Sequence, residues 1–168
     1  LDGAERTGRE ALAVARRVYG DEHPRVATVL NNLGLTELAR NNPAGAEPWL
    51  AESLAQRRKL LPPSHPDLAQ SLANLGLVVQ HLARPQEALA LYTEALAIRR
   101  QALGEEHLLV AQTLNNLGLL HQSMGDLAGA RRDLQRSVAM LRKTAGEAHP
   151  LVAQGVSNLA VLECQQRR

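Results

Sequence analysis

The strongest constraint in this chain is a repeat: His23, His65, His107 and His149 stand at successive steps of 42 residues. The same step carries Ala27 onto Ala69, Ala111 and Ala153, Asn32 onto Asn74, Asn116 and Asn158, and Leu33 onto Leu75, Leu117 and Leu159. The 168 residues hold four such periods in unbroken register, so one local geometry is reused along the chain and the fold must be an array of like units.

Within a period, Val26, Leu30 and Leu33 recur at steps of four and three, which puts them on one face of a helix over about residues 24 to 40. Pro24, Pro66 and Pro150 follow a histidine and suit the first helical position, where the missing N–H costs nothing. Breaks at Asn41-Asn42, Ala83-Arg84 and Gly125-Asp126 precede a second helix, which carries Ala46, Leu50 and Leu54 and their counterparts. That helix ends in Arg or Lys before Gly20, Gly104 or Gly146, with Pro62-Pro63 standing in once. Positive charge suits a helix C-terminus and glycine suits its cap. The aromatic side chains are Tyr19, Trp49 and Tyr92, with no Phe, and the bias toward leucine and alanine also argues for helix over sheet. The expectation is all-α, with a second helix at 1–18, hairpin repeats at 19–60, 61–102 and 103–144, and a first helix at 145–168. A two-helix unit cannot bury its apolar face alone, so the hairpins are expected to stack. The small residues Gly34, Gly76, Gly118 and Ala160 are expected where two helices approach closely, against the Ala46, Ala88 and Ala130 set.

Asn32-Leu33-Gly34, followed by Ala46, Leu50 and Ser53, resembles the tetratricopeptide signature. The string from His23 to Gly34 and the 42-residue period resemble the kinesin-light-chain subtype. A HEAT or armadillo array has a similar period, but the Asn-Leu-Gly and later Ala positions speak against it. The resemblance implies a right-handed superhelical solenoid of antiparallel helix pairs, a non-catalytic scaffold whose first helices line a concave groove for a peptide segment of a partner. It carries a peptide-binding role onto Asn31, Asn32, Gln70, Asn74, Leu77, Gln112, Asn115, Asn116, Leu119 and Asn158. Amides offer donors and acceptors to a peptide backbone, and the leucines offer apolar seats. The alternative reading of the same asparagines is a ladder that ties neighbouring helices together. An acidic cargo motif does not suit this neutral stripe, where Arg25 is the nearest cation.

Other chemistries find less support. Stacked hairpins are displaced by roughly 20 Å from interaxial distances of 8 to 10 Å, too far for the four histidines to converge on a metal, so no metal or cofactor is expected. Cys164 with His121 or His81, or Glu37 with Glu163 read as solvated helix charges, lacks any nucleophile or phosphate-loop motif, and no enzyme is expected. The row formed by Arg16, Arg58, Arg100 and Arg142, with Arg17, Arg57, Lys59, Arg99 and Lys143, is read as dipole-compensating charge. With a net charge of +2 and few aromatics, nucleic acid is not an expected partner. No apolar run reaches the roughly 20 residues of a membrane span. A single cysteine excludes an internal disulfide and points to a cytoplasmic setting. Leu1 in place of an initiating Met suggests a segment of a larger protein. An architectural spacer, self-associating end to end through the faces around Leu12 and Val14 and around Leu159 and Leu162, is the alternative function.

Overall fold

The computed structural model describes residues 2–166. In these residues the elements are α1 (Asp2–Tyr19), α2 (Pro24–Ala39), α3 (Pro43–Leu60), α4 (Pro66–His81), α5 (Pro85–Leu103), α6 (Leu108–Ser123), α7 (Leu127–Ala145) and α8 (Pro150–Gln166), with no strand among them. They form two compact units, one ending at Leu91 and the other beginning at Tyr92, so that α5 contributes to both.

The starts of the helices show why the histidines recur. His23 and His65 lie in extended backbone immediately before α2 and α4, and the Nδ1 of each accepts the N–H of the residue two further on, at 3.1 Å. His107 and His149 do the same for Leu109 and Leu151. Each ring satisfies a donor that the first helical turn leaves open.

The turns between helices obey the same period. Gly20, Gly104 and Gly146 occupy the left-handed region with φ of 84°, 85° and 87°. The hairpin turns place Asn41, Ala83 and Gly125 in that region, with φ of 59°, 57° and 83°. Ala83 is the costly member of that set, since its Cβ crowds the following carbonyl and it has no polar side chain to compensate.

In the first unit α1 packs on α2, α2 on α3 and α3 on α4. Leu12, Ala15, Val26, Leu30 and Leu33 form a buried cluster edged by Val29 and Trp49. The α2–α3 hairpin closes tightly because Gly34 has no side chain: a Cβ there would fall 2.5 Å from Leu50 Cγ and 3.2 Å from the Ala46 carbonyl oxygen. The close partner is therefore chiefly Leu50, with the backbone of Ala46 behind it. Ser53 Oγ adds a buried hydrogen bond to the Ala27 carbonyl at 2.7 Å.

The second unit repeats this with α6 and α7. A Cβ on Gly118 would fall 2.7 Å from Leu134 Cγ, and Ser137 Oγ donates to the Ala111 carbonyl at 2.7 Å. Ala130, Leu134 and Leu162 form one buried cluster and Ala111, Leu141 and Val152 another. Leu12 and Leu162, expected on faces lacking partners, are both buried, whereas Val14 is exposed.

Candidate functional site

The face shared by α2 and α4 gathers three of the predicted amides into one network. Asn74 Nδ2 donates to Asn31 Oδ1 at 2.9 Å, and Gln70 Nε2 donates to Asn74 Oδ1 at 2.8 Å. Asn31 is buried, Asn74 and Leu77 are half-buried, and Gln70 is exposed. Each bond uses a donor of one amide and a lone pair of the next, so the network ties α2 to α4.

Asn32, beside it, is exposed. It lies on the wall of a hollow of about 450 Å³ lined by Thr7, Gly8 and Ala11 of α1 and by Val29, Leu33 and Thr36 of α2. Gly8 is what lets Leu33 fold over α1, because a Cβ there would sit 2.6 Å from Leu33 Cδ2. The hollow is thus mainly apolar, with one amide at its edge.

The second unit holds the corresponding bond between α6 and α8: Asn158 Nδ2 donates to Asn115 Oδ1 at 2.9 Å. Gln122 Nε2 donates to Gln165 Oε1 on the same pair of helices at 2.6 Å. Gln112, Asn115, Asn116, Leu119 and Asn158 are all half-buried. Leu119 packs against the cluster of Ala130, Leu134 and Leu162. In both units the bonded asparagines are 43 residues apart, one more than the repeat. An Asn32-type residue therefore reaches an Asn31-type residue one repeat earlier, and the chain holds Ala73 and Ser157 at the other two Asn31-type stations.

Several polar residues have structural roles the sequence did not suggest. Arg57, read with the basic row as dipole-compensating charge, is only 6 % exposed, and its Nη1 donates to the Asp67 carbonyl and to Ser71 Oγ, each at 2.8 Å. Arg99, 3 % exposed, donates to the Leu109 carbonyl at 3.0 Å and to Thr113 Oγ1 at 2.7 Å. Burial lowers the pKa of both guanidiniums from the usual arginine value, for Arg57 against the opposing pull of Asp67. These arginines latch the end of one hairpin to the start of the next, α3 to α4 and α5 to α6. The signal was present in the register. Arg57 and Arg99 step onto Leu141 while Ser71 and Thr113 step onto Gly155, so the pair changes together. One repeat earlier the same stations hold Ala15 and Val29, which pack in the apolar cluster of α1 and α2.

Glu37 is likewise buried rather than solvated. It accepts from Arg40 Nη1 at 3.1 Å and from Asn42 Nδ2 at 2.7 Å, holding the turn into α3. His121 is half-buried, with Nδ1 2.9 Å from Asp133 Oδ2. Cys164 is exposed. The Arg25 guanidinium lies over the Tyr19 ring, 5.3 Å from its centroid. Of the other basic residues of the row, Arg16, Lys59, Arg100, Arg142 and Lys143 form ion pairs, with Glu52, Glu22, Glu105, Glu147 and Glu106. Among the described residues, no three His, Cys, Asp or Glu side chains are grouped to hold a metal ion. No helix among them is long and apolar enough to cross a membrane.

Comparison with known proteins supplies the context. No curated protein matches the chain. Among solved structures, BtubC (BKLC) from P. vanneervenii superposes with a TM-score of 0.86 at 24% identity, over 96% of this chain and 64% of that one. This chain thus spans just under two thirds of that protein's length. A kinesin-light-chain-like protein of Podosopora anserina with nearly identical TPR-like repeats superposes at 0.82 with 24% identity, over 99% of this chain and 80% of that one. A single-substitution variant of the same Podosopora anserina protein gives 0.84 with 23% identity, over 99% and 79%. These likenesses establish the fold, that of a helical-hairpin solenoid. The family model described as tetratricopeptide repeat matches residues 1–59, 28–101, 67–143 and 109–168. Repeats of this kind generally serve as scaffolds for protein interaction. With its overlapping matches running the length of the sequence, and helical hairpins where the period puts them, the chain belongs to the tetratricopeptide repeat family.

Proposed function

We propose that this chain is a non-catalytic interaction scaffold that receives an extended segment of a partner protein along the faces of its first helices, the concave groove of the array. On this reading the repeats run 19–60, 61–102 and 103–144, flanked by half-repeats at 1–18 and 145–168, and no metal or cofactor takes part. The observation that carries it is the pairing of the exposed Asn32 amide with the apolar hollow of about 450 Å³ beside it. An amide at the rim can hold a peptide backbone while the hollow takes a side chain. Asn116 offers the corresponding amide in the second unit, and Gln112 and Leu119 flank it. The bonded pairs Asn31–Asn74 and Asn115–Asn158 then tie neighbouring first helices, and the half-buried Asn74, Asn115 and Asn158 also face the partner. The proposed setting is cytoplasmic, since a lone cysteine can form no internal disulfide.

Peptides selected by display against the chain test this. Titration calorimetry of the selected peptides should show binding weakened by about 0.5–1.5 kcal/mol for each of Asn32→Ala and Asn116→Ala. Unchanged affinity in both variants, with intact helical content, overturns the groove reading. A second reading, self-association through α1 and α8, is favoured by the exposure of Val14 and Val18 on the first helix and Val156 and Val161 on the last. Light scattering that grows with concentration, and falls back in a Val18→Ser, Val161→Ser variant, would support it.

A further inference from the structure

The repeats are not alike on their outer faces. Helix α7 carries five basic residues against one acidic, whereas α3 has three against two and α5 two against two. The excess is local. Arg131, Arg132 and Arg136 stand where α3 has Glu47, Pro48 and Glu52 and where α5 has Leu89, Ala90 and Glu94. The hairpin geometry therefore does not require arginine at any of these stations. One surface pair does recur two repeats apart, Lys143 with Glu106 as Lys59 with Glu22, although the repeat between them holds Gln101 and Ser64.

The change inverts an ion pair. In the first unit Arg16 Nη2 lies 2.6 Å from Glu52 Oε1, with Asp21 at 3.7 Å from its Nε. Two repeats on, Glu52 has become Arg136, and a single carboxylate, Glu105, stands between two guanidiniums. It lies 3.1 Å from Arg100 Nε and 3.6 Å from Arg136 Nη2. Arg132 approaches only Asp133, at 3.4 Å, and that carboxylate also faces His121. Arg131, Arg132, Gln135 and Arg136 are exposed and line one open hollow on α7, edged by Leu127 and Ala139.

We propose that this stripe of α7 is a second docking surface, distinct from the amide-bearing faces, and that it takes an acidic segment of a partner protein. Several carboxylates in a row would complete the charge pattern that Glu47 and Glu52 supply within α3. The alanine and leucine edge, with no aromatic ring or lysine among the residues lining the hollow, suits a polypeptide better than the bases and phosphates of a nucleic acid.

The test is fluorescence anisotropy of the chain with a labelled dodecapeptide of alternating Glu and Asp, alongside an uncharged Gln/Asn dodecapeptide and a single-stranded oligonucleotide of similar length. The variant Arg131→Leu, Arg132→Ala, Arg136→Glu gives α7 the residues that α5 already carries, so its circular dichroism and melting temperature should stay unchanged. Its affinity for the acidic peptide should fall by about tenfold or more, and the parent interaction should weaken as salt rises. A control that removes the same charge elsewhere, Arg6→Glu, Arg17→Ala, Arg58→Ala, should lose less than about threefold. An Asn32→Ala, Asn116→Ala variant should bind the acidic peptide as the parent does, which separates this surface from the groove. Equal loss in the charge control, full binding by the α7 variant, or tighter binding of the oligonucleotide than of the peptide would overturn the proposal.

Discussion

Ala83 carries a strain that its counterparts relieve. Asn41 tolerates the left-handed region through its short polar side chain, and Gly125 enters it without penalty, but Ala83 holds a φ of 57° with a bare methyl. Ala83→Gly should therefore stabilise the protein by about 0.5–1 kcal/mol in urea unfolding, the relief of strain less the extra backbone entropy of glycine. Asn41→Gly should gain less. Tyr92 marks the opposite case of a residue well placed but pH-sensitive. It is fully buried, and burial pushes its phenol above the ordinary tyrosine range. The folded state then keeps a proton that the unfolded chain releases above about pH 10, so stability should fall with rising pH there by up to about 1.4 kcal/mol per unit. Tyr92→Phe should flatten that alkaline limb in melts taken between neutral pH and strongly alkaline conditions.

At the scale of helices, the latch made by Arg99 explains how α5 hands over to α6. Removing the guanidinium takes away the donor to the buried Thr113 oxygen and one of the two side-chain donors to the Leu109 carbonyl, which keeps the Thr113 hydroxyl at 2.8 Å, so Arg99→Leu should cost about 2–3 kcal/mol. Thr113→Val should cost somewhat less. The double variant should cost less than the two added together, because the buried donor and its acceptor leave at once. A cycle of urea melts measures the coupling, and strict additivity would show that the latch contributes nothing. Such pairs show what the sequence could and could not reveal. The helices, their proline starts, their glycine ends and the close approach at Gly34 were legible because each rests on local chemistry repeated at a fixed step. The burial of Arg57 and Arg99 was not, because an arginine near a helix end reads as solvated unless its partner, 14 residues away, is followed from repeat to repeat. Glu37 escapes the same reading, its partners Arg40 and Asn42 lying across the turn.

For the molecule as a whole, the period predicted a stack of helical hairpins and the Asn32-Leu33-Gly34 signature with its later Ala46 carried the family resemblance, while the candidate site was only half readable. Amides at Asn31, Asn74, Asn115 and Asn158 were identified, and a ladder between neighbouring helices was one of the two readings of these asparagines, yet which asparagine bonds which depends on a one-residue offset between neighbouring first helices that spacing alone does not display. The arginines of α7 stand out once the stations of α3, α5 and α7 are compared across the 42-residue step.

The distribution of the latches has a mechanical consequence. The handovers from α3 to α4 and from α5 to α6 carry a buried arginine, but those from α1 to α2 and from α7 to α8 have Ala15 with Val29 and Leu141 with Gly155 instead. Greasy contacts slide and part without breaking a directional bond. Amide hydrogens in the outermost helices should therefore exchange with deuterium first, and the interior hairpins should hold their protection longest, a zipper that opens from both ends and stops at its clasps.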